Sequence, residues 1–225
     1  VNIFSVTADA PAVQVDSSRL ELIGVAFRDL PGIAIRFSGS ALVATDCSFE
    51  PVASVALPVV TGSGFARDTP VLFRDNHFAV TDRPAPLFAF DGQGQPAAWL
   101  ELRGNRFSGG AREAVALSGC NSFLWENRFH NFRHPESPAK RSAVISINGT
   151  TDGAWPSAML ARNRLGQADG ALRLSGRVSL VAHSNRFSDC AVHVAEFVGM
   201  PDGGKNEWTN NLFERCTTLF PPGSA

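Results

Sequence analysis

Apolar and polar residues alternate in short runs along this chain, and the runs recur. In Leu100, Glu101, Leu102, Arg103, Gly104, Asn105, Arg106, Phe107, the two leucines point in, Glu101 and Arg103 point out, and Asn105 makes a corner from which Phe107 turns inward again. The same Asn-to-anchor step occurs at Asn76/Phe78, Asn105/Phe107, Asn127/Phe129, Asn163/Leu165, Asn185/Phe187 and Asn211/Phe213, with degenerate copies ending at Phe27 and Phe49. Successive anchors lie 22, 29, 29, 22, 36, 22 and 26 residues apart, a 22-residue unit with loops inserted into some copies.

A period near 22 residues, strand-like alternation and no helical period predict a solenoid of about eight stacked coils. Asparagine suits the corner if that position needs a left-handed backbone, and its amide can bond the next coil's amide, since stacked strands lie about 4.8 Å apart. A second strand follows each corner and ends in a turn at Gly39, Gly92, Gly119, Gly149 or Gly176.

Coil pattern and asparagine ladder together resemble the right-handed parallel β-helix, pectate-lyase-like superfamily, found in polysaccharide-active enzymes and in β-helix segments of large bacterial multidomain proteins. The expected fold is therefore all-β, a right-handed parallel β-helix with an Asn ladder, one domain over 1–225. Both ends fall inside a coil, so the chain is expected to be a segment of a longer protein.

Resemblance to that superfamily implies catalysis on the outward face of one sheet, where its lyases place a base and calcium-binding acids and its hydrolases paired aspartates. The outward positions predicted here are Gln14, Arg36, Ala89, Ala116, Ser146, Arg173 and His193, without paired carboxylates or lysine. The chain is therefore expected to be a noncatalytic binding or scaffold module recognising polysaccharide. The alternative is a polysaccharide lyase or glycoside hydrolase acting on an anionic polysaccharide, with Arg173 or His193 as base.

Loops carry function in solenoids more readily than coils do. The largest insertion flanks the predicted strand Ala143 to Ile147, and its two pieces are expected to wall a shallow groove over Ser146. Arg133, His134, Lys140 and Arg141 would make one wall cationic, while Asp152 and Trp155 would give the other a carboxylate and a stacking plane; Arg173 completes the candidate binding set. A solvated mixed-charge loop is the plainer reading. A second feature is the column Arg106, Arg128, Arg164, Arg186, in line with His77, either solvated among scattered acids or a track for a polyanion.

Outward apolar residues Val43, Leu72, Phe123, Trp125, Met159 and Val181 precede the corners. They are covered either by the segments Pro51 to Pro70 and Thr81 to Ala98, or by a protein partner or neighbouring domain on the Phe123/Trp125 face.

The formal charge of −1 gives no global pull toward nucleic acid, and no apolar run is long enough for a membrane span. No cofactor motif or Cys/His metal spacing appears. Cys47 occupies an asparagine slot and Cys120 a corner, while Cys190 and Cys216 take equivalent inward positions. All four read as free thiols, with a Cys190–Cys216 bridge as the alternative. Eighteen arginines against two lysines suggest a GC-rich bacterial source, and the resemblance suggests an extracytoplasmic location.

Overall fold

The computed structural model describes residues 2–3, 10–51, 56–64, 70–80, 84–93, 99–109, 113–133, 143–150, 155–200 and 205–219. Among them the chain is a parallel β-solenoid, with no helix long and apolar enough to cross a membrane.

Each coil contributes three strands, which stack into three faces. Strands that begin just after the ladder position form what we term the anchor face: Ala26–Arg28, Ser48–Glu50, His77–Val80, Arg106–Gly109, Arg128–Phe132, the first halves of Arg164–Ser175 and Arg186–Val198, and Leu212–Glu214, with Asn2–Ile3 paired onto Ala26–Arg28 at the edge. The serine face follows: Val13–Asp16, Ile35–Ser38, Val60–Ser63, Phe88–Asp91, Val115–Ser118, Ala143–Asn148 and the second halves of the two long strands. These two faces form one 15-stranded sheet because the long strands run on from one face to the other.

The third, tryptophan face is a separate 8-stranded sheet of Arg19–Ile23, Ala41–Thr45, Val71–Arg74, Trp99–Arg103, Asn121–Trp125, Ser157–Ala161, Ser179–His183 and Asn206–Thr209. Only the inner six of these eight strands have a neighbour on both sides. The stack thus amounts to about six full turns, not eight, because the anchor count includes the partial coils at either end.

The anchors form the core's axis. Ring centroids of Phe27, Phe49, Phe78, Phe107 and Phe129 follow one another at 4.9, 4.5, 4.6 and 4.9 Å, close to the strand spacing, so each ring rests on its counterpart in the next coil. Leu165 interrupts this column, and Phe187 and Phe213 resume it at 5.4 Å. Each buried ring contributes roughly 2–3 kcal/mol of apolar transfer.

Beside the rings runs a hydrogen-bonded series of carboxamides. Nδ2 of Asn76, Asn105, Asn127, Asn163 and Asn185 each donates to Oδ1 of the next asparagine, at 2.9 to 3.0 Å. The same Nδ2 atoms also donate to a carbonyl of the preceding coil, as Asn127 does to Leu102 at 2.7 Å. Cys47 starts the series: its amide donates to Asn76 Oδ1, and its thiol points at the carbonyl of Leu22.

Asparagine is not placed there for a left-handed backbone. Positive φ falls on the residue before each slot: Gly24, Asp46, Asp75, Gly104, Glu126, Arg162, Ser184 and Asn210. The side-chain amide selects asparagine, because only a group that both donates and accepts can bond identically above and below. At the other corner Gly39, Gly119 and Gly176 adopt positive φ as expected, but Gly92 and Gly149 do not. A Cβ on Gly149 would run into the Arg177 carbonyl, so close approach explains that glycine.

All four cysteines are free. Burial pushes the Cys120 thiol up to about 12, and it raises Cys190 further still, with help from neighbouring Cys216.

On the tryptophan face the outward row reads Glu21, Val43, Leu72, Glu101, Phe123, Met159, Val181, Glu207. Trp99, 48% exposed, stacks on Phe123 at 6.0 Å, and Trp125 lies between Arg103 and Arg162, at 5.8 and 5.5 Å. Residues 52–55, 65–69, 81–83 and 94–98 of the two segments offered as a cover for this face lie outside the described residues.

Candidate functional site

Ser146, the expected floor of the groove, is buried, and residues 134–142 and 151–154 of its expected walls lie outside the described residues. In register along the serine face lie Gln14, Arg36, Thr61, Ala89, Ala116, Ser146, Arg173 and Glu196. Ser146 is only 5% exposed, and its hydroxyl donates to Glu113 Oε1 at 3.0 Å. Arg173 pairs with Glu196 at 3.8 Å.

His193 does not face outward: it is 2% exposed and pairs in register with Gly170. The cause is a bulge. Ala168 pairs with Cys190 but Gly170 with His193, so one extra residue enters the later strand and reverses the side assigned to everything after it. Glu196 takes the outward slot, and two carboxylates that the sequence pattern did not reveal, Glu113 and Glu196, therefore stand on this face.

Of the candidate binding residues, His134, Lys140, Arg141 and Asp152 lie outside the described residues. Arg133 donates from Nη2 to the Asp189 carbonyl at 3.1 Å, which places it at the edge of the anchor face. Trp155, half-buried, lies two residues before the strand Ser157–Ala161 of the tryptophan face. Among the described residues no hydrogen bond or ring contact joins Arg133, Trp155 and Arg173.

The arginine column does assemble a site. After each buried asparagine the next residue must point out and the anchor in, so strand alternation sets Arg106, Arg128, Arg164 and Arg186 in one row, preceded by Ser48 and His77 and followed by Leu212. Two residues on, the next outward row is shorter in most coils: Ala79, Ser108, His130, Gly166, Ser188, Glu214. Long cationic side chains beside a low floor leave a cavity of about 450 Å³, lined by all four arginines with Ser108, His130, Gly166 and Ser188. A second cavity, of about 470 Å³, shares Ser108 and His130 and continues past Ala79 and Val80 to Glu50.

Charge in the groove is unbalanced. Arg186 is held by Glu214 through Nε at 2.9 Å and Nη2 at 2.6 Å. Arg106, Arg128 and Arg164 are exposed and have no carboxylate within ion-pair distance among the described residues. Several arginines elsewhere are neutralised, Arg28 by Glu50, Arg74 by Glu101, Arg103 and Arg162 by Glu126, Arg215 by Asp189, while Arg19, Arg36 and Arg177 stand singly, without a carboxylate among the described residues. The Arg215 guanidinium holds the Asp189 carboxyl below the usual aspartate range. Adjacent like charges one strand spacing apart repel by roughly 1 kcal/mol in water, and a bound anion would relieve that repulsion.

No protein-family model matches this chain, and no curated protein or solved structure matches it either.

Proposed function

We propose that this β-helix, read as a right-handed member of the pectate-lyase-like superfamily, is a noncatalytic binding module of a larger bacterial, extracytoplasmic protein, and that it recognises an anionic polysaccharide along the arginine groove. The observation that carries this reading is the row of three consecutive unpaired arginines opening into a long cavity. Guanidinium groups make charge-assisted, paired hydrogen bonds to carboxylate or sulfate, and the hydroxyl-bearing floor suits sugar hydroxyls.

The test is calorimetric titration with polygalacturonate, alginate, heparin and neutral dextran. Binding of at least one anionic polymer, absent for dextran, weakened by salt and lost in Arg128→Ala, supports the reading. Equal binding of dextran, or indifference to Arg128→Ala, overturns it.

A polysaccharide lyase or hydrolase is the second reading, favoured by Glu113 and Glu196 on the serine face. Each of those carboxylates is already engaged, by Ser146 and Arg173 respectively. New unsaturated or reducing ends from the same polymers, abolished in Glu196→Gln, would establish it.

A further inference from the structure

The positive run in the groove has two ends, and both are built from this chain's own residues. Toward the earlier coils the arginine row passes to His77 and Ser48, and the adjoining cavity is lined by Pro51, Ala79, Val80 and Gly109 with the Glu50 carboxylate at its far edge. Toward the later coils Glu214 engages Arg186 with two bonds, and the row ends at Leu212, which is half exposed. Unneutralised charge is thus confined to Arg106, Arg128 and Arg164, spanning about 10 Å across three coils.

A polymer charged on every unit gains at these three positions only. Extended either way, it brings further negative groups against Glu50, paired with Arg28, or Glu214, paired with Arg186, where no free cation awaits them and they add nothing to binding. A ligand whose anionic segment is short leaves none of its charges unmatched, and its uncharged units can lie against Ala79, Val80 and Gly109. We infer that the groove recognises a short anionic block, three charged groups flanked by uncharged units or closing a chain, rather than the interior of a uniformly charged polysaccharide. This inference rests on the anion-binding reading of the same groove.

Oligouronates of two to six rings, titrated at one fixed pH and ionic strength, test it. Affinity should climb roughly tenfold per ring up to three rings and then change by less than about twofold to six. In Glu214→Gln, which releases Arg186 as a fourth cation, the plateau should move to four rings. Affinity that keeps climbing through six rings in the native protein would overturn the bounded block while leaving anion binding intact, as would a plateau unmoved by Glu214→Gln. No binding at any length would overturn both readings together.

Discussion

The anchor face and the serine face are built by the same coils, from one continuous sheet, yet adjacent unpaired cations gather on the first, whereas Arg36 stands singly on the second. On the serine face Arg173 lies against Glu196 and Ser146 against Glu113. On the anchor face three successive guanidiniums stand without an acid. Nothing in the fold demands this. The slot after the ladder position accepts Ala26, Ser48, His77 and Leu212 in other coils, because it only has to point outward. A solenoid specifies its inward positions and leaves the outward ones open, so four arginines repeated in one open slot are a stronger functional signal than any conserved-looking core residue.

Removing the shared scaffold should have the largest effect. Asn127→Ala would leave the Asn105 backbone N–H without its acceptor, strip Asn105 Nδ2 of one of its two acceptors and remove the Asn127 donor from the Leu102 carbonyl; with each orphaned buried group costing about 1–3 kcal/mol, urea unfolding should report a loss of about 3 kcal/mol, and the two faces should fail together.

Charge reversal separates the faces. Arg128→Glu should lower affinity for an anionic polymer about a hundredfold by titration, whereas Arg74→Ala, on the tryptophan face, should stay within about twofold. Ser146→Ala probes the other side: it removes the donor to Glu113, should cost about 1 kcal/mol in urea unfolding, and should leave groove affinity unchanged.

The smallest effect is at the last coil. Asp189 has its folded pKa depressed by Arg215, so the pair stabilises above the ordinary aspartate value of about 3.9, and that contribution is lost as pH falls through the lower folded value. Protection of the Thr217 amide, whose N–H bonds the Cys190 carbonyl, should fall on acidification when exchange is measured against the intrinsic rate at each pH, and Arg215→Ala should remove that fall.

Anchors, amide series and strand alternation were legible in the sequence because each is a fixed chemical type at a fixed interval. The left-handed corner was misassigned by one residue because its occupants are Gly, Asp, Glu, Arg, Ser and Asn, with no shared chemistry to mark them. His193 was put on the wrong side because one inserted residue, invisible in composition, reverses every later position in its strand. The arginine row could be read directly. Its lack of partners could not, since whether Glu214 reaches Arg186 depends on rotamers in neighbouring coils.

Leu165 has a consequence for cohesion along the axis. The ring column is continuous from Phe27 to Phe129 and again from Phe187 to Phe213, so aromatic stacking skips one coil, which is held to its neighbours by strand pairing and by the amide series through Asn163. Arg128 stands on one side of that coil, Arg164 on it and Arg186 beyond it. A ligand gripping the arginine row would span the gap in the ring column, adding contacts between the coils on either side and stabilising the stack by binding its folded form alone.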